Sequence, residues 1–361
     1  SDVFLTPGNF ANLLTQAASV TVIAMGLVFV LLLGEIDLSA GYASGVCGAV
    51  LVILITNHGY PWWLAFAISI VVGAILGYAI GTLVSRFGIP SFVVTLASFL
   101  GFQGILLLLA GEGGTIRIED PTILAVQNNN LTPILSWIFF LVISVVYVFV
   151  GLARINSRRK AGLKSELKKL WVIKTTALLI IGALAVWALN LERSNNPDLV
   201  SLKGTPLIVP VILFLLVVGT FVLGRTAYGR HIYAVGGNAE AARRAGINVK
   251  NIRTSAFVIC SSFAAIAGML FASRQNSISP TTGGSSTLLY AVGAAVIGGT
   301  SLFGGKGKMR DAVLGGLVVA VIDNGMGLLG YAAGIKFIVT GAVLLISAGV
   351  DAISRRGATN N

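Results

Sequence analysis

Charged residues are scarce in this sequence. Asp, Glu, Lys and Arg make up 11% of 361 residues and 56% are hydrophobic, whereas an ordinary soluble domain carries about 25% charged residues. A soluble enzyme of this composition would have no polar surface, so that class is excluded. Histidine is scarcer still. His58 and His231 are the whole set, far apart in sequence and predicted on opposite sides of a membrane, so neither a metal cluster nor a His-based triad is available. Cys47 and Cys260 both lie inside apolar runs, which excludes a disulfide framework and fits two small buried hydrophobes. The chain opens on Ser1 without a short, positively flanked signal segment, and this predicts an incomplete N-terminus. Gly298–Lys308 looks like a phosphate loop, but Thr300 stands at the first Gly position and Gly307 at the Ser/Thr position, so it is not an ATP site. No cofactor and no metal site are expected.

What the sequence does have is apolar length. Runs bounded by polar residues, Gly or Pro fall at about 17–34, 42–56, 62–85, 91–110, 131–152, 171–190, 206–224, 254–273, 288–302, 311–329 and 335–354. They predict an all-α polytopic membrane protein with about 11 spans. The runs at 42–56 and 288–302 hold only about 15 residues each, short of the ~17 of a straight crossing, and predict broken or partly re-entrant helices. The 44 glycines are scattered, as close packing between membrane helices requires.

Basic loops stay cytoplasmic. Residues 154–174 and 225–253 carry eight and six Lys or Arg. With both loops inside, Arg86, the Lys306, Lys308 and Arg310 cluster, and Arg355 with Arg356 also fall inside, twenty of the 25 basic residues in all. The net charge of +12 is thereby accounted for without nucleic acid. On this assignment Ser1–Gln16 lies outside and the C-terminus inside. One further span is then expected upstream, giving about twelve in the complete protein.

Sliding the chain by 242 residues aligns Ser19 with Ser261, Gly26 with Gly268, Phe29 with Phe271, Gly41 with Gly283 and Gly73 with Gly315. The charge assignment sends 62–85 inward and 311–329 outward, so the two units, about 17–110 and 254–354, are predicted to be inverted repeats, a common transporter architecture. Chance identity in a chain rich in Gly, Ala, Val and Ile is the bland alternative.

Charge inside a membrane segment is costly and asks for a reason. Glu35, Asp37 and Ser39 interrupt two apolar runs between Gly34 and Gly41. Asp37 or Ser39 suits the cap of the helix starting near Tyr42, whereas Glu35 lines a polar path, pairs with a basic residue or is simply solvated. Asp323 and Asn324 sit within the 311–329 run, and Gln103 beside Phe102 within 91–110. Carboxylates, amides and an aromatic ring suit a sugar pathway; interhelical hydrogen bonds are the plain structural reading.

The loop 225–253 holds a short helix candidate over Asn238–Ala245, with an Asn cap, Glu240 in the first turn, Arg243 and Arg244 in the last, and Gly246 to end it. A helix so short needs a surface to lie on, and a partner protein is one such surface.

These residues together resemble a known family. Glu35–Ser39 with Gly41, Arg225–Arg230 running into Ile232–Asn238, Glu240–Arg243 with Gly246 and Ile247, Gly298–Ser301 with Gly304 and Gly305, and Asp323–Gly325 are similar, from about residue 12 to 354, to the permease subunits of bacterial ABC importers for monosaccharides of the ribose and xylose type. The resemblance implies a homodimer in the bacterial inner membrane, two cytoplasmic ATPase subunits, an external sugar-binding protein, and a fold similar to the membrane subunit of the vitamin B12 importer. It carries the ATPase contact onto Gly236, Gly237, Asn238, Glu240, Arg243 and Gly246. The extra central pair of spans near 131–190 looks like the xylose branch. Ala40 departs from the Val usual there, a minor change of volume. The function expected is the translocation pathway of an ATP-driven importer for xylose or a related pentose or polyol, with no chemistry on the sugar. The alternative from another class is an ion- or proton-coupled secondary transporter using Glu35, Asp37 or Asp323.

Overall fold

The computed structural model describes residues 2–111, 114–162, 168–194 and 196–359, without the side chains of Arg158, Lys168 and 353–359. Of the basic residues assigned to the inner face, Lys164 and the side chains of Arg158, Lys168, Arg355 and Arg356 lie outside the described residues. In chain order the helices are α1 (Pro7–Leu31), α2 (Ala40–Thr56), α3 (Trp62–Ser85), α4 (Ser91–Ala110), α5 (Pro121–Asn128), α6 (Pro133–Lys160), α7 (Lys168–Leu189), α8 (Ile208–Arg225), α9 (Ala227–Gly237), α10 (Ala239–Arg244), α11 (Val249–Gln275), α12 (Ser285–Ile297), α13 (Met309–Leu328) and α14 (Ala333–Thr359). The only sheet among the described residues pairs β1 (Ile116–Arg117) with β2 (Ser277–Ile278), antiparallel.

The protein is an all-α, polytopic membrane protein. Nine described helices are long and apolar enough to cross a membrane, and α2 and α12 are apolar but shorter, at 17 and 13 residues. Each predicted apolar run falls on one of these eleven helices. The boundaries differ in two informative places. Helix α1 starts at Pro7, because Asn9, Asn12, Thr15 and Gln16 belong to the helix although they interrupt the apolar run. Helix α12 ends at Ile297, because the backbone turns through Gly299 at φ +117°.

The chain divides into two compact units. One comprises Leu13–Asn128 and Ile208–Asn361. At its centre α11 packs on α3 and α2. Gly73, Gly77 and Gly81 form a stripe four residues apart on α3, and a Cβ on any of them would collide with the backbone of α11 near Ser261, Phe257 or Thr254. This small-xxx-small seam lets the two backbones touch, which is where dispersion drives association in lipid. Helix α2 packs on α3 and α4, and α12 packs on α13 and α14. Short α5 is tied to the end of α11: the Gln127 backbone N–H donates to Ser273 Oγ at 3.0 Å and the Gln127 amide donates to the Leu270 carbonyl at 3.2 Å.

The other unit comprises Asp2–Asn12 and Asn129–Leu207. Helices α6 and α7 lie side by side, with Gly151 facing the Trp171 ring and Gly182 the Phe140 ring. The segment after α7 folds around one carboxylate. Glu192 Oε1 accepts backbone N–H groups from Arg193, Ser194 and Leu202 at 3.0, 3.1 and 3.0 Å, and Oε2 accepts the Ser201 hydroxyl at 2.8 Å. These bonds favour the charged form and hold the carboxyl down to about 2.

Candidate functional site

The sequence between α8 and α11 folds into two short helices. Thr226 caps α9 by accepting the Gly229 N–H at 3.1 Å. Asn238 caps α10 by accepting the Ala241 N–H at 2.9 Å. Helix α10 then closes in a Schellman turn: the Ile247 N–H reaches the Ala242 carbonyl at 3.0 Å, the Gly246 N–H reaches the Arg243 carbonyl at 3.0 Å, and Gly246 sits at φ +84°. Asn238, Glu240, Arg243, Arg244 and Gly246 are all exposed. Glu240 pairs with Arg243 and Arg244 at 3.3 Å each, exposed pairs that contribute at most about 0.5 kcal/mol apiece. Their stabilising effect on the helix is therefore small.

The inward face of this segment is fixed to the transmembrane body. Ile232, Val235 and Ala242 are buried. The Tyr233 hydroxyl donates to the Gly307 carbonyl at 2.7 Å, and the Tyr228 hydroxyl is 2.8 Å from Ser255 Oγ on α11. Burial pushes the Tyr228 phenol up to about 12, so it stays protonated at physiological pH. Gly236 lies against the Leu32 carbonyl so closely that no Cβ fits. That carbonyl also accepts the Gly305 N–H at 2.8 Å. Three pieces of chain therefore meet at Leu32: the end of α9, the end of α1 and the 298–308 loop.

Next to this junction lies the first carboxylate pair. Glu35 Oε1 is 3.3 Å from Arg253 Nε, an ion pair whose angle falls short of a hydrogen bond. Asp37 is fully buried, and its Oδ1 accepts the Ser39 N–H at 2.8 Å and the Ser39 hydroxyl at 2.6 Å. Ser39 is the N-cap of α2 but makes no side-chain cap bond. Asp37 thus orders the N-cap residue from two positions earlier, and the helix it precedes starts at Ala40 rather than near Tyr42. The loop is sewn to the start of α4, where the Thr95 hydroxyl donates to the Ile36 carbonyl at 3.2 Å and Ser91 Oγ accepts the Ile36 N–H at 3.3 Å.

The second group lies toward the other end of α1, roughly 22 Å away by helical rise from Gln16 to Leu31. Gln16 Nε2 donates to Asp323 Oδ2 at 2.8 Å, and Lys336 Nζ stands 3.5 Å from Asp323 Oδ1. Gln16, Tyr290, Gly316 and Asp323 line a cavity of about 50 Å³, and Asn324 is buried. On α4, Phe102 is buried and Gln103 is exposed. Of the predicted pathway residues, Glu35, Asp37 and Ser39 thus lie beyond one end of α1, and Asp323 with its neighbour Asn324 lies toward the other. Sequence reasoning missed Gln16, Tyr290, Arg253 and Lys336, whose signal was a polar residue bordering or interrupting an apolar run. Among the described residues no group of three His, Cys, Asp or Glu is placed to hold a metal ion.

Residues 9–348 match the family model described as the permease component of the branched-chain amino acid transport system. The chain belongs to this permease family. The xylose transport system permease protein XylH of Escherichia coli (strain K12) is 37% identical over 358 residues, covering 98% of this chain and 87% of the relative. XylH of Haemophilus influenzae is 33% identical over 353 residues, covering 98% and 91%. The ribose import permease protein RbsC of Escherichia coli (strain K12) is 27% identical over 356 residues, covering 96% and 87%. No solved structure matches. The resemblance drawn from the motifs therefore holds over nearly the whole chain, and the permease is a transport subunit rather than an enzyme.

Proposed function

We propose that the permease is the membrane-spanning subunit of an ATP-binding-cassette importer for xylose or a related pentose or polyol. It works as a homodimer in the bacterial inner membrane, with its C-terminus in the cytoplasm. An external binding protein delivers the sugar and a separate cytoplasmic ATPase supplies the energy. The observation that carries this reading is the α9–α10 segment: its outer face is exposed and chemically defined by Asn238, Glu240, Arg243 and Gly246, and its inner face is fastened to α1, α11 and the 298–308 loop. A push on α10 is transmitted through backbone contacts at Leu32 to the segment bearing Glu35 and Asp37. The relatives that transport xylose support the sugar class.

In this account residues 17–110 and 254–354 are inverted halves, as in the vitamin B12 importer's membrane subunit, and α6 with α7 forms an added central pair. The packing of α2 on α3 and α4, matched by α12 on α13 and α14, supports it. Glu35, Asp37, Ser39, Phe102, Gln103, Asp323 and Asn324 line or flank the pathway, and the inverted halves open alternately to the two sides. The test is to replace Glu240 and Arg243 together in the reconstituted complex. Uptake per ATP hydrolysed is expected to fall at least about tenfold with the dimer intact, as removal of a mechanical link requires. Unchanged coupling would contradict the assignment.

A further inference from the structure

The cavity of about 50 Å³ beside Gln16 is walled by three helices, α1, α12 and α13. Its polar groups do not use up their hydrogen bonds. Asp323 takes the Gln16 amide N–H on Oδ2 at 2.8 Å and faces Lys336 Nζ at 3.5 Å from Oδ1, two contacts for a carboxylate that accepts about four. Among the described residues, the Tyr290 hydroxyl and the Gln16 amide oxygen have no hydrogen-bond partner. The Lys336 ammonium has three donors for its one carboxylate. Beside this polar group stands an aromatic surface: the Phe337 ring lies 6.2 Å from the Tyr290 ring, tilted by 40°, and is 51% exposed. Charges shielded to this degree, with 25% of the Asp323 and 22% of the Lys336 side chain exposed, are costly in membrane-spanning helices and a poor means of packing them.

Charge and volume together restrict what fits. Asp323 and Lys336 neutralise one another, so a cation entering the cavity meets the ammonium and an anion meets the carboxylate. A neutral molecule with adjacent hydroxyls can donate to Asp323 and the Gln16 amide oxygen while accepting from Lys336 and Tyr290. At about 10–15 Å³ for each water-sized group, the cavity has room for two hydroxyls and the two carbons that bear them. A whole sugar ring does not fit inside. We propose that this cavity is a binding station for a cyclic sugar, which inserts one pair of neighbouring hydroxyls and lays a C–H face of its ring on Tyr290 and Phe337. The inference rests on the sugar-importer role given above and narrows its cargo to the ring form. An open-chain polyol carries the same hydroxyls but has no rigid face, and it must freeze its own bond rotations to bind. Gln16, Tyr290 and Lys336 thereby join Asp323 as sugar-binding residues.

Saturation-transfer NMR on the purified full-length permease in nanodiscs reads such weak binding directly, with D-xylose and xylitol as the two probes. Xylose is expected to bind about tenfold more tightly than xylitol. Tyr290→Phe, which keeps the ring and loses the hydroxyl, weakens both probes and preserves their ratio, whereas Tyr290→Leu brings the ratio to about one. A merely structural role for Tyr290 would not move that ratio. Gln16→Leu weakens both probes about tenfold. Val20→Phe fills the cavity from its wall with every polar group in place; it abolishes xylose binding and keeps the test open if a polar variant fails to fold. Equal binding of the two probes, a ratio unmoved by Tyr290→Leu, xylose still bound after Val20→Phe, or no xylose bound because the cavity takes water alone would overturn the proposal. The importer role is checked separately by xylose uptake in the complete wild-type complex. ATP-dependent uptake alongside equal probe binding sinks only the station, while uptake that needs no ATP sinks the importer whatever the cavity binds.

Discussion

Gly41 and Gly283 meet face to face: a Cβ on either would fall on the carbonyl oxygen of the other. Gly41 is the second residue of α2, and Gly283 lies just before α12 at φ +74°. These are two of the residues that the 242-residue offset pairs in sequence. The two short apolar helices thus begin at one shared backbone contact, which only glycine permits on both sides.

Gly41→Ala is expected to lower stability by about 1–3 kcal/mol through overpacking. Gly283→Ala costs more, because its positive φ adds backbone strain. Either substitution forces the same two segments apart, so the double variant costs about 1 kcal/mol less than the sum of the singles. Thermal unfolding of the four proteins in one detergent measures this, and strict additivity would count against the shared contact.

The pair Glu35 and Arg253 is largely shielded, with 14% and 32% of the side chains exposed. Removing one partner leaves a poorly solvated charge. Arg253→Gln is therefore expected to lower uptake and stability more than Glu35→Gln with Arg253→Gln together, by about 1–3 kcal/mol in the cycle. A double variant worse than both singles would show that the two residues act independently.

Asp323 accepts the Gln16 amide and faces Lys336, in a group far from the first. Asp323→Asn strands the Lys336 ammonium, so uptake is expected to fall about tenfold or more and to recover partly when Lys336→Met is added. Uptake assays on the single and double variants decide between this pairing and a role for Asp323 alone, in which the second change would restore nothing.

Glu192 supplies the pH test. Its carboxyl is held down to about 2 in the folded protein, from an ordinary 4.5, so the charged form carries the hydrogen bonds. A depressed pKa means that the added order is complete above about pH 4.5 and is lost as pH falls toward 2. Hydrogen exchange at the Ser194 and Leu202 amides is expected to be slow at pH 6, to lose protection below about pH 4 beyond the intrinsic rate, and to be unprotected at both pH values in Glu192→Gln. Protection that is independent of pH would contradict the role of this carboxylate.

Much of the membrane architecture was legible in the sequence because lipid imposes one rule, long apolar runs, and each run falls on a helix. The α10 boundaries were legible for a different reason: Asn238 and Gly246 act on their own neighbours. What stayed hidden depended on distance along the chain. Glu35 and Arg253 are brought together by the packing of α11, and Gln16 reaches Asp323 across almost the whole sequence. The pairing of Ile116 with Ile278 escaped because two-residue strands carry no period. Asp37 and Ser39 were both read as candidates for the cap near Tyr42; Ser39 stands at the N-cap position of a helix that starts two residues earlier, at Ala40, and Asp37 accepts the Ser39 N–H, a division of labour set by backbone dihedrals that composition does not encode.

The most direct test of the account is uptake of labelled pentose into proteoliposomes containing the permease. With the ATPase subunit, the loaded binding protein and ATP all present, uptake is expected, and it should vanish when ATP or the ATPase is omitted. Accumulation driven by a proton or sodium gradient through the permease alone would contradict the central claim.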